Sequence, residues 1–302
     1  ILNIIFVLTA AGIARLTTCM IEKIYDREEV DRKKAKKVLT TGISLLILIL
    51  FITKTGKSIL RGVSVLFAGK EIDFQVVVPL GISYYTFSLV GYMADVYWKK
   101  EAVEHNYLKL LLYMLYFPHI LQGPIPRHKR LAPQLLEGHP FRYQNLCFGF
   151  QRMIWGYFKK MVIADRLAML TREVFGNYTE YEGLVFIVAA FCSAMELYCD
   201  FSGCMDIVIG TSEVMSIKLD ENFQRPFFSK SAAEFWRRWH ITLGMWFRDY
   251  VYMPLSINSR LIKFCQKAKK KFGNRFARNL LTIIALSAVW ILTGLWHSTG
   301  WN

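Results

Sequence analysis

Four long segments that carry few or no charged side chains constrain this sequence most. They cover residues 37–53, 74–94, 183–195 and 279–296. A helix needs roughly 18 to 20 apolar residues to cross about 30 Å of hydrocarbon, and a shorter one must bend or lean on its neighbours. With 54% hydrophobic residues and a mean hydropathy of +0.27, the chain is more apolar than most water-soluble enzymes. We therefore predict an all-α polytopic membrane protein, with a single very apolar soluble domain as the alternative.

Local sequence features indicate where the helices are interrupted. Residues 1–21 and 37–53 are apolar and flank a charged connector, which predicts a helical hairpin. In the segment 74–94, Pro79 and Gly81 lie near the start, so this helix should be kinked or begin late.

Two further stretches predict elements that do not cross the bilayer. Residues 108–121 are too few to cross comfortably, which favours a re-entrant or interfacial element. Residues 127–130 are four consecutive basic or imidazole side chains after two Gly/Pro turns, and they predict a loop at the level of the lipid headgroups. Because no repeat or Pro/Ser-rich linker divides the chain, we predict one membrane domain over residues 1–302, truncated at both ends.

The net charge is +15, and basic residues cluster in two stretches: residues 22–37 hold seven Lys/Arg among five acids, and residues 260–278 hold eight with no acid. Both adjoin apolar segments, so the positive-inside rule predicts two cytoplasmic loops and argues against nucleic-acid binding. The alternative is that these stretches bind the phosphates of a CoA-type donor or an anionic lipid.

Three acidic side chains interrupt the apolar run 183–210: Glu196, Asp200 and Asp206. A helix of that length would exceed the hydrocarbon thickness, so we expect it to break near Gly203. A carboxylate at the bilayer centre costs roughly 2.5–3.5 kcal/mol, which requires these acids to face protein or a watery cavity. They either line a functional cavity or pair with a nearby arginine.

The segment 227–255 is rich in Trp and Arg, as in helices that lie at a membrane interface. On one continuous helix, Trp236, His240, Leu243 and Phe247 would share a face. His240 would then point inward, either as a hydrogen-bonded core residue or as a functional one.

A second histidine, His297, follows Arg278 by nineteen residues, a rise of about 28 Å in a straight helix. If the basic stretch is cytoplasmic, His297 lies toward the opposite side of the membrane. A buried imidazole stays neutral and can accept a proton from a hydroxyl group. The alternative role is a hydrogen bond within a helix bundle.

The order of these motifs resembles the membrane-bound O-acyltransferase family, and within it the branch that acetylates alginate. The motifs are VVPLGISYYTFSLVGYMADVYW, FPHILQGPIPRHKRLAPQL, ELYCDFSGCMDIVIG, ENFQRPFFSKSAAEFWRRWHITLGMWFRDYVYMPL and NLLTIIALSAVWILTGLWHSTGWN. The resemblance implies a bundle of membrane and re-entrant helices around a tunnel. The catalytic histidines of the family fall on His297, in the LWH motif, and on His240, in the RRWH motif. Residues expected to bind substrate or line the tunnel are Asp200, Ser202, Asn222, Trp236 and Trp296.

The resemblance also implies the reaction and its participants. The donor is acetyl-CoA or another acyl thioester on the cytoplasmic side, and neither a metal nor a tightly bound cofactor is expected. The acceptor is a hydroxyl of an extracytoplasmic polysaccharide such as alginate, or of a hydrolase-like acetyltransferase partner. The protein would be a multi-pass protein of the cytoplasmic (inner) membrane in contact with lipid. Ser298, where the family commonly has Gly, departs from the pattern.

Other functions remain open at this stage. The same fold could transfer D-alanine to teichoic acid, acetyl to peptidoglycan or a fatty acyl chain to a lysolipid. A transporter or scaffold for polysaccharide export belongs to another class, because intramembrane acids and histidines also serve proton-coupled carriers.

Overall fold

The computed structural model describes residues 2–68, 79 and 81–297, and within them it contains helices and no β-strand. The α-helices are α1 (Leu2–Tyr25), α2 (Arg32–Ala68), α3 (Ile82–Tyr97), α4 (Tyr107–Met114), α5 (His128–Leu136), α6 (Tyr143–Tyr157), α7 (Asp165–Gly176), α8 (Leu184–Val214), α9 (Ala232–Arg238), α10 (Ile241–Phe247), α11 (Met253–Ser256) and α12 (Ser259–His297). Short 3-10 turns cover Phe117–His119, Tyr178–Glu180 and Pro226–Phe228, and π-helical turns cover Phe158–Ala164 and Arg248–Tyr252. The all-α prediction is confirmed.

Four of the described helices are long and apolar enough to cross a membrane. The candidate spans are Ile4–Tyr25, Arg32–Gly56, Leu184–Val214 and Phe272–Leu295. Few residues in each span are buried by protein, as expected of surfaces that face lipid. The chain is a multi-pass membrane protein.

The contacts divide the chain into two compact units. The first unit comprises residues 1–114 and 243–302, and the second comprises residues 115–242. In the first unit α1 packs against α2 and α3, which confirms the hairpin predicted from residues 1–21 and 37–53. Helix α3 begins only at Ile82, after Gly81 with φ of 71°, so the late start is confirmed as well. Residues 74–78 of that predicted segment lie outside the described residues.

The second unit is built around the packing of α6 on α8. Two pairs of glycines allow the helix backbones to approach each other: Gly156 with Gly203, and Gly149 with Gly210. A Cβ atom on Gly156 would lie 2.6 Å from the carbonyl oxygen of Gly203, and one on Gly149 equally close to that of Gly210. The predicted helix break near Gly203 is therefore wrong. This glycine is a packing position, and α8 runs unbroken from residue 184 to 214.

Two basic stretches predicted as loops are helical. Residues 128–130 form the first turn of α5, where His128 is buried, so the predicted headgroup loop over 127–130 is wrong. The run 260–278 belongs to α12, which is interrupted at Gly273 with φ of 85°. Lysine and arginine favour helices almost as strongly as leucine, so charge density alone does not identify a loop.

The segment 108–121 contains two short elements. Helix α4 has eight residues and is followed by the 3-10 turn that ends at His119. Its position relative to the bilayer stays a prediction.

Candidate active site

A network of ion pairs connects α6 and the following π-helical turn to α8. Arg152 donates from Nε to Asp206 Oδ1 at 3.0 Å and from both terminal nitrogens to Glu221, at 2.7 and 2.6 Å. Lys159 lies 2.6 Å from Asp206 Oδ2 and donates to Ser202 Oγ at 2.9 Å. Charges removed from water need such partners. For Asp206, the structure therefore bears out the pairing alternative.

Glu221 and Asp206 also favour the charged form of Arg152. Burial lowers the pKa of Arg152, but the hydrogen bonds and charges of Glu221 and Asp206 outweigh this and raise the pKa above its usual value. The guanidinium therefore stays charged and can tie α6 to α8 and to the loop that follows α8.

The other two acids of the apolar run 183–210, Asp200 and Glu196, have partners too. Asp200 forms an ion pair with Lys160, which also contacts Asp165 at 3.1 Å. The hydrogen bonds of Asp200 and Asp165 raise the pKa of Lys160. Glu196 accepts a hydrogen bond from the hydroxyl of Thr171 at 2.5 Å. All three acids predicted to face protein therefore have polar partners on the helices packed against α8.

An open cleft of about 550 Å³ lies over this network. Its lining combines charged, polar and aromatic side chains: Arg152, Trp155, Lys159, Tyr198, Ser202, Met205, Asp206, Glu221, Asn222, Phe223, Gln224, Arg225 and Arg238. Two of the predicted substrate-binding residues, Ser202 and Asn222, are among them. In the part of the chain that the structure describes, no three His, Cys, Asp or Glu side chains group as metal ligands would.

His240 lies in a break between two helices. Helix α9 ends at Arg238 and α10 begins at Ile241, so the continuous helix expected through His240 is wrong. His240 has a left-handed backbone with φ of 44° and is only 6% exposed. Its ring meets the ring of Phe201 edge-on, with centroids 4.7 Å apart. The inward orientation of His240 is confirmed, whereas Trp236 is 48% exposed and does not share a buried face with it.

Asn222 is fully buried beside the break between α9 and α10. It contacts the backbone at the start of α10 and a side chain of α8. Its Oδ1 accepts hydrogen bonds from the N–H and the hydroxyl of Thr242, at 3.0 and 2.7 Å. Its carbonyl oxygen accepts from the N–H of Ile241 at 3.0 Å, and its Nδ2 donates to the sulfur of Met205 at 3.0 Å. Among the predicted site residues, the second unit thus brings together Ser202, Asn222 and His240.

The LWH motif lies in the first unit. His297 is the last described residue of α12 and its side chain is exposed. The side chain of Trp296 and all of Ser298 lie outside the described residues. The roles predicted for His297 and Trp296 stay predictions.

The sequence predictions missed three residues of the network: Arg152, Lys159 and Glu221. A signal for the first two was present, since cations seven residues apart in an otherwise apolar stretch lie on one helix face. The second signal was that Asp206, which lies on another apolar segment, has the opposite charge to both. Nothing in the sequence near Glu221 indicates its partner.

A family model, that of MBOAT, the membrane-bound O-acyltransferase family, matches residues 99–290. The chain belongs to this family. The matched region contains the ion-pair network, the cleft and His240, whereas His297 follows it.

Among curated members, a probable alginate O-acetylase from Pseudomonas aeruginosa is 35% identical over 232 residues, which cover 74% of this chain and 42% of that protein. A peptidoglycan O-acetyltransferase from Helicobacter pylori is 29% identical over 76% of this chain and 45% of its own length. A teichoic acid D-alanyltransferase from Bacillus subtilis is 32% identical over 72% of this chain and 53% of its own length. The chain thus aligns with about half the length of these relatives.

Proposed function

We propose that this protein is an O-acyltransferase that moves an acetyl group from a cytoplasmic acyl thioester to a hydroxyl group outside the cytoplasm. The observation that supports it most directly is the family match over residues 99–290, which includes a buried histidine in a strained turn. Acetyl-CoA is the proposed donor. The acceptor is a polysaccharide hydroxyl or a hydrolase-like acetyltransferase partner, and the protein lies in the inner membrane.

The proposed reaction needs a base and a group that orients the reactants. His297 removes the proton of the acceptor hydroxyl as its oxygen attacks the thioester carbonyl carbon. The tetrahedral intermediate then collapses, the C–S bond breaks, and the proton passes from the imidazolium to the departing thiolate. His240 orients the acceptor or polarises the carbonyl. No redox step occurs, so an acyl thioester suffices as the donor substrate and no tightly bound cofactor is required.

The experiment is transfer of radiolabelled acetyl from acetyl-CoA by membranes that contain the full-length protein. The wild type is compared with His297→Ala and His240→Ala, and His139→Ala, an exposed histidine outside the cleft, is the matched control. General-base catalysis typically contributes about 10²- to 10⁴-fold in rate, so His297→Ala should lose at least 100-fold while its membrane level stays unchanged. Near-normal transfer by His297→Ala would contradict the assignment of the base.

A second candidate is transfer of D-alanine, or of acetyl to peptidoglycan, by the same site. The identities with the Bacillus subtilis and Helicobacter pylori proteins support it. Supplying a D-alanyl carrier-protein thioester in place of acetyl-CoA, and peptidoglycan in place of alginate, separates these activities. Labelling that requires the carrier-protein thioester would replace the acetyl proposal.

A further inference from the structure

The backbone at His240 is held by one short segment of the loop after α8. Gln224 N–H donates to the carbonyl oxygen of Arg238, the last residue of α9, at 3.0 Å. Asn222 accepts from Ile241 and Thr242, the first two residues of α10. The loop therefore holds the chain on both sides of the Trp239–His240 break.

His240 itself occupies the position at which a helix is normally capped. The first amides of a helix lack partners within it, and a Ser, Thr, Asp or Asn at that position usually supplies one. Here Asn222 supplies both acceptors from elsewhere in the sequence: its carbonyl oxygen and its Oδ1. The imidazole of His240 is then not required as a cap and packs against Phe201 instead.

The left-handed backbone at His240 is conformationally unfavourable, and the hydrogen bonds that Asn222 makes offset this unfavourable free energy. A non-glycine residue at φ of 44° is sterically strained and persists only when its surroundings impose it. The hydrogen bonds of Asn222 are made with a fully buried group, which makes their loss more costly than at a surface. The hydroxyl of Thr242 also accepts a hydrogen bond from the N–H of Ile125 at 3.0 Å.

We propose that Asn222 is a positioning residue that holds His240 in the orientation needed for acyl transfer. This role differs from the one predicted from the sequence, in which Asn222 binds substrate or lines the tunnel. The inference rests on the proposed function of His240. Its effect should be on turnover, because a displacement of about 1 Å in a reacting group can cost roughly 100-fold in rate.

The kinetic test uses the full-length protein and two variants of Asn222. Asn222→Leu keeps the approximate shape and removes the acceptor, whereas Asn222→Asp keeps the acceptor oxygen. We expect kcat of Asn222→Leu to fall about 10- to 100-fold with KM for the acyl donor unchanged within about twofold, and Asn222→Asp to recover much of kcat. In the His240→Ala background, Asn222→Leu should cost no further activity, since it acts through the missing imidazole. Full additivity of the two losses, or a rise in KM alone, would overturn the proposal.

A second readout does not depend on activity. Diethyl pyrocarbonate modifies exposed histidines, and mass spectrometry of peptides reports each site. His240 at 6% exposure and His119 at 1% should both react slowly in the wild type. In Asn222→Leu we expect His240 to react several times faster while His119 stays protected.

Equal protection of His240 in both proteins overturns the proposal, and so does joint exposure of both histidines, because that indicates general unfolding. A wild type inactive with every donor, but with the expected change in labelling, refutes the proposed function and leaves the positioning geometry supported.

Discussion

At the scale of single residues, burial decides the charge state of His119. His119 is 1% exposed and packs against the ring of Tyr116, with centroids 5.6 Å apart. Burial lowers the pKa of His119 to about 4, from an ordinary value of 6.5. The folded protein therefore holds this ring neutral at pH 7. His240 is buried as well, yet its place in a strained turn, rather than burial alone, distinguishes it from His119.

We predict that His119 makes the protein less stable in mild acid. Between pH 6.5 and about 4 the unfolded chain binds a proton at His119 that the folded chain does not, so stability falls as pH falls through this window and levels off below it. A shift of this size corresponds to about 3 kcal/mol as an upper estimate. Thermal unfolding in detergent at pH 7.5 and 4.5 should show a smaller acid-induced loss in His119→Leu than in the wild type. Equal losses in both proteins would contradict the prediction.

At the scale of elements, the packing of α6 on α8 places the cleft. The glycine contacts bring the two backbones close enough for Arg152 and Lys159 to reach Asp206 with short side-chain bonds. Close backbone approach at small residues is a common way for membrane helices to associate. The ion pairs then specify the register of α6 against α8.

Substitution at Gly203 should separate these helices. A Cβ atom there would lie 2.8 Å from the carbonyl oxygen of Gly156, a backbone atom that cannot rotate away. We expect Gly203→Leu to destabilise the protein by roughly 1–3 kcal/mol and to weaken the ion-pair network. Gly12→Leu is the matched control, because a Cβ atom at Gly12 meets nothing within 4 Å. Melting temperatures in detergent measure the stability of both variants, and a Gly203→Leu protein as stable as Gly12→Leu would refute the close-packing role.

At the scale of the whole molecule, the basic stretches predict the orientation of the chain in the membrane. The run 260–278 forms the first half of α12. The candidate span Phe272–Leu295 begins near the end of this run and covers most of the second half of the helix. The positive-inside rule applies to such a helical run as it does to a loop, since it depends on charge near the membrane end and not on conformation. The cytoplasmic placement of this run stays a prediction.

A cysteine label can test that orientation, but the native Cys265 is a poor reporter because it is 3% exposed. Lys267 is exposed two residues further along. In the full-length protein, Lys267→Cys should react with a membrane-impermeant maleimide only after the cells are permeabilised. The wild type reports background labelling of the native cysteines. Rapid labelling of Lys267→Cys in intact cells would place the basic run outside the cytoplasm.

The sequence alone predicted much of the architecture and part of the site. The hairpin, the late start of α3 and the membrane helices follow from composition and from Pro and Gly positions, which act within a few residues. The motifs also identified Ser202, Asn222 and His240, which the second unit brings together. Failures occurred where a neighbour in space decides the outcome: Gly203 packs against Gly156, so it does not break α8.

The sequence by itself determined which described helices are apolar enough to cross a membrane and which histidines are candidates, because transfer free energies and motif spacing are local properties of the chain. The tertiary structure decided how buried charges and strained backbone are stabilised. Asp206 accepts a hydrogen bond from Arg152, which is 54 residues away in the sequence, and Asn222 accepts one from Thr242, which is 20 residues away. Such hydrogen bonds form only after distant helices have packed and excluded water, so no local pattern records them.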